Sequence, residues 1–331
     1  VYDRIDLHEG FSTTARSVGE DDNRIVSEAD LVTATAARLA AVERPTRRPV
    51  LRLPNGCDPE HWRRVQAADD LAALSRPVVG YFGAISEWFD VALVESLAIA
   101  RPDWSFVLIG STWGADVARL EVQPNVHLLG ERSYGELPAL ASAFDVGMIP
   151  FRRTPLTEAT DPVKLYEMLA LGLEVVAPSL PEISRLEPLV RLADDIEVFL
   201  RELDQAVVGD SAGAAERRSF AVENSWDRRV DELEPALIEL FPSVTIGIVT
   251  FNNRELTELC LASIESQTIH PNYEVVVVDN ASTDGTAAWL RDEVARRPGH
   301  RVILNGDNRG FAAACNQAFA GCESDILCFL N

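Results

Sequence analysis

Lysine is nearly absent from this chain. Of 331 residues, 30 are Lys or Arg, and Lys164 is the one lysine among them. Basic charge is scarce altogether: 52 acidic side chains leave a net charge of −22, which argues against nucleic acid as the main partner and against simple electrostatic docking on anionic lipid. No apolar run reaches the roughly 18–20 residues that a membrane span needs. The five cysteines, Cys57, Cys260, Cys315, Cys322 and Cys328, include no Cys-x-x-Cys pair. An odd, scattered set reads as reduced cytosolic thiols, not as a disulfide framework or a metal cluster. Two further absences bear on nucleotide chemistry. There is no G-x-G-x-x-G, and the residue four before Lys164 is Thr160 where a Tyr-x-x-x-Lys pair needs tyrosine. A nucleotide-sugar oxidoreductase or epimerase therefore has poor support. Methionine is missing from position 1, which is valine, and Asp325–Asn331 reads as a strand that halts where a loop should begin. An internal fragment of a longer protein is expected.

What is present is enough chain for two domains and an alternation of short apolar runs with amphipathic stretches. That pattern predicts an α/β fold with parallel sheets. Strands are expected at Val78–Phe82, Phe106–Ile109, Val126–Leu129, Val146–Ile149 and Glu174–Ala177, with helices at Val91–Ala100, Tyr134–Ser142 and Val163–Leu171. Three helical stretches follow, ending at Phe241-Pro242-Ser243. There the alternation restarts, with strands at Val244–Val249, Glu274–Val278, Val302–Leu304 and Ile326–Leu330. The expected division is a leading segment 1–60, a first module 61–241 and a second, incomplete module 242–331.

Lys164 sits in Thr160-Asp161-Pro162-Val163-Lys164-Leu165-Tyr166-Glu167. Thr160 or Asp161 can cap the helix, and Pro162 suits its first position. Lys164 then falls in the first turn, where the helix dipole disfavours a cation. An anion bound there removes the conflict, since helix-end N–H groups and the ammonium converge on it. Glu167, three residues on, shares that helix face. A cation and a carboxylate so disposed suit a phosphorylated sugar, Lys164 taking a phosphate and Glu167 ribose hydroxyls. The plainer alternative is an i,i+3 ion pair, worth a few tenths of a kcal/mol. After the first strand, Gly80-Tyr-Phe-Gly83 lets backbone approach a ligand closely.

Five segments recur in a recognisable order: Pro54-Asn55-Gly56-Cys57-Asp58, Val79–Gly83, Asn125–Gly130, Phe144–Pro150 and Pro162–Ala170. Together they resemble the donor-binding half of a GT-B glycosyltransferase of family 4, in the branch of teichuronic-acid and capsule enzymes. The resemblance implies a nucleotide along the strand ends, touching Gly83, Gly130, Arg152 and Asp161. It puts Glu167 on ribose and Lys164 on the diphosphate, these two being the catalytic candidates, and requires no metal. Two departures stand out. Ala84–Asp90 lacks the Arg and Lys common in that family, and the usual first Glu, eight residues before Glu167, is Ala159. Lys164, with Arg152, would then stabilise the leaving diphosphate.

The second module opens on Ser243–Asn253, a buried strand breaking into a polar turn. Glu274–Thr286 puts Asp279 at a strand end, where it can accept hydrogen bonds from a pyrimidine imide or cap its own loop. Asn305–Asn316 is a polar turn opening a small-residue helix. These three segments resemble the nucleotide-binding half of a GT-A, family 2 glycosyltransferase of the rhamnosyltransferase-like kind. The resemblance implies donor contacts from Thr250, Asn252, Asp279, Asn308, Gly310 and Asn316. It makes Asn331 the first position of an incomplete D-x-D-like motif that holds Mg²⁺ or Mn²⁺.

The combined expectation is a fragment of a bifunctional glycosyltransferase, inactive by itself. The whole would transfer sugars from nucleotide-sugar donors to a growing surface polysaccharide or lipid-linked glycan, in the cytoplasm and peripherally at the inner membrane face. The alternative is a degenerate, non-catalytic nucleotide-sugar-binding scaffold attached to one active family 2 enzyme.

Overall fold

The computed structural model describes residues 1–7, 10–11, 17–41, 46–63, 65–209, 211–294, 296 and 299–330. The chain divides into two compact units, Val1–Leu233 and Glu234–Asn331. Asn331, the expected first metal-motif position, lies outside the described residues.

The first unit opens with β1 (Tyr2–Arg4), α1 (Ser17–Glu28), β2 (Val32–Ala34), α2 (Ala37–Ala40) and β3 (Leu51–Arg52). Its three strands form a parallel sheet in the order β1-β2-β3. A six-stranded sheet follows. Its elements are β4 (Val78–Phe82), α3 (Val91–Ala100), β5 (Ser105–Ile109), α4 (Ala118–Glu121), β6 (Val126–Leu128), α5 (Leu137–Ala141), β7 (Val146–Met148) and α6 (Val163–Ala170). They continue through β8 (Glu174–Ala177), α7 (Pro181–Ser184), β9 (Arg191–Leu192), α8 (Ile196–Val208) and α9 (Ser211–Glu223) to α10 (Trp226–Ile238), within which the two units divide.

The order β6-β5-β4-β7-β8-β9 is parallel throughout and reverses between β4 and β7. Every residue of β4, β5, β7 and β8 is buried, as continuous apolar runs require when helices cover both faces of a sheet. The largest fully buried side chains, Trp62, Tyr81, Tyr166, Phe82 and Phe144 among them, fill this core.

The second unit carries β10 (Val244–Thr250), α11 (Arg254–Gln267), β11 (Tyr273–Asp279), α12 (Thr286–Val294), β12 (Arg301–Leu304), α13 (Phe311–Phe319) and β13 (Ile326–Leu330). The strand order β12-β11-β10-β13 is again parallel, with its reversal between β10 and β13. In open parallel sheets, ligands bind beyond the strand carboxyl ends at such reversals. No helix among the described residues is long and apolar enough to cross a membrane.

Two expectations are corrected. The stretch Tyr134–Ser142 is not one helix. A 3₁₀ turn, Tyr134–Glu136, closed by a Ser133–Glu136 capping box, precedes α5. Nor does Asp161 cap α6. Pro162 holds the cap position with no side-chain bond, and the helix begins at Val163.

Asp161 is used elsewhere. Its buried carboxylate accepts Asn55 N–H at 2.8 Å and the Tyr166 hydroxyl at 2.9 Å, tying the loop after β3 to α6. Glu182 makes a second tie. It accepts Ala37 N–H at 2.7 Å, Arg185 Nε at 2.9 Å and a guanidinium N–H of Arg52. Replacing it leaves a backbone donor and two arginines without that acceptor. Glu182→Ala is expected to lower unfolding free energy by about 2 kcal/mol, measured by urea denaturation; an unchanged midpoint contradicts this seam.

Candidate functional site

At the reversal of the six-stranded sheet, Gly83 directly follows β4, and the chain after β7 supplies Phe151 and then, on α6, Lys164. The Gly83 φ of +123° suits glycine, and an added Cβ would sit 2.6 Å from Lys164 Cε. The lysine stem therefore occupies space that the glycine leaves open. Lys164 Nζ lies 4.9 Å from the centre of the Phe151 ring and 5.6 Å from that of Tyr81, close enough for cation–π attraction. It lines a cavity of about 350 Å³ with Asp6, Phe11, Asn55, Trp88 and Phe151. Trp88 belongs to the Ala84–Asp90 segment without basic residues; neighbouring Phe89 is 1% exposed and packs against Tyr81.

Among the described residues, Lys164 makes no ion pair within the 4.0 Å limit, with Glu167 or any other carboxylate. The i,i+3 pair is not formed. Burial pulls the Lys164 ammonium down to about 8, against the opposing charges of Glu167 and Asp6. Between that value and 10.5 the unfolded chain holds a proton that the folded chain releases. This group therefore adds stability as pH rises across that window. One turn on, burial pushes Glu167 up to about 7, while Lys164 and hydrogen bonds from Tyr134 and Trp62 oppose the rise. Here the folded chain holds the proton between 4.5 and about 7, so this contribution falls as pH rises through 7.

Glu167 lies beneath an aromatic group that the sequence reading missed. Trp62 Nε1 donates to the Tyr134 hydroxyl at 2.7 Å, and that hydroxyl donates to Glu167 Oε1 at 3.3 Å. His61 stacks on Tyr134 at 4.3 Å, and Trp62 stacks on Phe82 at 4.8 Å. The available signal was the aromatic pair His61-Trp62 just after the Pro54–Asp58 turn. Gly130 follows β6 with φ +68°, and its carbonyl accepts Gly110 N–H at 2.9 Å. Arg152 is exposed and lines a separate cavity of about 380 Å³ with Asp90, Arg153 and Asp194.

In the second unit, β11 ends in Asp279, 1% exposed. Its Oδ2 accepts Ser282 N–H at 3.0 Å, and its buried Oδ1 has no hydrogen-bond partner. A buried carboxylate oxygen left unbonded costs free energy that an N–H donor on a ligand would offset. Asn252, at φ +51°, follows β10; its N–H donates to Ser282 Oγ and its Oδ1 accepts Thr283 N–H at 2.7 Å. Asn308 Oδ1 accepts from Asn280 Nδ2 and from Gly310 N–H, the cap of α13. Asn280, missed from sequence, thus links two of the three segments. Thr250 is buried against Thr257 at 2.7 Å, and Asn316 is exposed on α13. Among the described residues no three His, Cys, Asp or Glu side chains group as metal ligands.

Residues 76–207 match the family Glycosyl transferases group 1, and residues 245–331 match Glycosyl transferase family 2. The chain joins two glycosyltransferase regions. Bacillus subtilis TuaH, whose name describes a teichuronic acid biosynthesis glycosyltransferase, is 30% identical over 174 residues, or 50% of this chain and 44% of TuaH. Myxococcus xanthus RfbC, named as an O-antigen biosynthesis protein, is 37% identical over 22% of this chain and 6% of RfbC. The chain therefore spans less than half the length of either relative. The crystal structure of Anabaena Alr3699/HepE in complex with UDP-glucose shares the fold, with TM-score 0.55 and 17% identity over 72% of this chain and 71% of that one. The six-stranded sheet is a GT-B-type, Rossmann-like domain, and the four-stranded sheet is a partial GT-A-like one.

Within the group 1 region, Ala159 is fully buried against Ala34, Ala36 and Leu39. The slot where the family 4 resemblance expects Glu is here an apolar contact with the end of β2 and with α2. Glu158 beside it pairs with Arg38 at 2.5 Å and Arg153 at 3.5 Å.

Gly83→Ala is expected to cost at least about 1 kcal/mol from its positive φ, and to displace Lys164. Thermal unfolding of the variant should show a lowered midpoint; a neutral substitution contradicts the packing of lysine against Gly83.

Proposed function

We propose that the first unit binds a nucleotide-sugar donor, with Lys164 against its diphosphate and Glu167 accepting the ribose hydroxyls. The second unit binds a second donor through Asp279 and the loops of Asn252, Asn308 and Gly310. The whole protein builds a surface polysaccharide or lipid-linked glycan at the cytoplasmic membrane face. Residues 1–60 are the tail of an acceptor domain, 61–241 the donor domain and 242–331 the start of the family 2 domain. The observation that carries the first site is an ammonium, half-buried at the sheet reversal, that pairs with no carboxylate among the described residues. As the glycosidic bond to the diphosphate breaks, negative charge grows on the leaving oxygen. A preorganised cation in a water-poor site then stabilises it without metal. In the second unit the unbonded Asp279 oxygen suits the imide N–H of a pyrimidine. Mg²⁺ or Mn²⁺ would be held at Asn331 and beyond, supplying Lewis-acid help to the leaving group.

A second reading has its own support. With Ala159 packed as core and aromatics in Ala84–Asp90, the first unit resembles a binding scaffold as much as a catalyst. Titration with UDP-, GDP- and dTDP-sugars separates them. Lys164→Ala is expected to weaken donor binding at the first unit by about tenfold or more, and Asp279→Asn to do the same at the second. If Lys164→Ala leaves all three affinities unchanged, the first-site reading fails. In the full-length protein, binding without turnover at the first unit favours the scaffold.

A further inference from the structure

Glu167 does not stand alone in its pocket. Its carboxylate is 7% exposed, and one of its oxygens takes the Tyr134 hydroxyl, itself held by the fully buried Trp62. Trp62 is fixed in turn by its stack on Phe82, the last residue of β4. The tyrosine ring is half-exposed, with His61 parallel to it at an interplanar angle of 8°. A chain of donors thus runs from the sheet core to one carboxylate oxygen and fixes the rotation of the group. The 3₁₀ turn Tyr134–Glu136 and its capping box, Ser133 with Glu136, set the start of that chain. Nothing in catalysis by Lys164 requires it.

We propose that Tyr134 is the positioning residue for Glu167, and that the fixed carboxylate makes the first unit select ribonucleoside over 2′-deoxyribonucleoside diphosphates. This rests on the reading of Glu167 as the ribose acceptor. A carboxylate locked in rotation presents its free lone pairs in one plane, where the neighbouring 2′- and 3′-hydroxyls of ribose both donate. A 2′-deoxyribose supplies one donor and leaves a buried charged oxygen short of a bond, the situation in which polar sites discriminate most strongly. Without the tyrosine hydroxyl the carboxylate keeps only the bond from Trp62, its rotation is less restricted, and the second hydroxyl loses most of its advantage.

The groups facing Glu167 also give the proposal a pH signature. Lys164 faces it from its own helix, Tyr134 from the 3₁₀ turn and Cys57 from the loop after β3, with Asp58 and His61 around Tyr134. Cys57 is pushed up to about 12 by burial first and by Glu167 and Asp58 next, so it stays neutral through the relevant range. The Tyr134 bond stabilises the charged carboxylate. Removing it raises the pH below which ribose preference disappears.

The lone lysine provides the readout. With isotopically labelled lysine the chain carries one side-chain NMR signal of that type, at the first site only, so binding to the second unit does not interfere. UDP, GDP, dUDP and dGDP are titrated against the wild-type chain and against Tyr134→Phe, which keeps the ring and its stack on His61. The wild type should prefer UDP over dUDP, or GDP over dGDP, by about tenfold or more. In Tyr134→Phe the preference should fall below about threefold through loss of ribonucleotide affinity alone, and the pH midpoint of what preference remains should move upward. A ribose preference that survives Tyr134→Phe overturns the positioning role and leaves the donor site standing. Wild-type binding with no ribose preference overturns the selectivity. A Lys164 signal that answers to none of the four nucleotides overturns the donor site itself, and the inference with it.

Discussion

Taking an ammonium ion out of water costs several kcal/mol unless a partner offsets it. Lys164 has two aromatic faces and the through-space charges of Glu167 and Asp6 in place of an ion-paired carboxylate. Much of the first unit is arranged around that unmet demand. Gly83 yields room for the stem, Trp88 and Phe151 face the same cavity, and Asp161, which also lines it, is engaged by Asn55 and Tyr166. On the proposed function, the diphosphate of the donor is the anion that answers this charge.

The second unit repeats the logic with the opposite sign. Both sheets are parallel, both reverse after the first strand of their own alternation, and both leave a polar group short of a partner near the carboxyl ends. In one it is a cation suited to phosphate, and in the other a carboxylate oxygen suited to an N–H donor. Sheet topology sets where the strand ends open in each case, and the chemistry lies in what the loops leave unsatisfied.

The apolar runs made the sheets legible, because strands buried on both faces leave little room for any other reading. Val78–Phe82, Val91–Ala100, Glu174–Ala177 and Ile326–Leu330 have in the structure the bounds read from sequence. Weakly patterned elements escaped: β1 and β9 are three and two residues long, and α1 is strongly polar. The lysine was legible from its rarity and its position in a first turn. Its surroundings were not, since the Tyr134–Trp62–Glu167 chain joins residues over 100 positions apart. Arg152 illustrates the converse, a basic residue close in sequence whose side chain serves another cavity. Ala159 shows how a departure from a family pattern acquires a cause only in three dimensions, where it packs against the end of β2 and α2.

With one lysine in 331 residues, a single NMR signal reports the charge state of the first site. The Lys164 side chain should titrate near 8 in the free protein, and its midpoint should move upward when UDP or GDP is bound. A midpoint at the ordinary lysine value of about 10.4 in the free protein, unmoved by either nucleotide, would contradict the account.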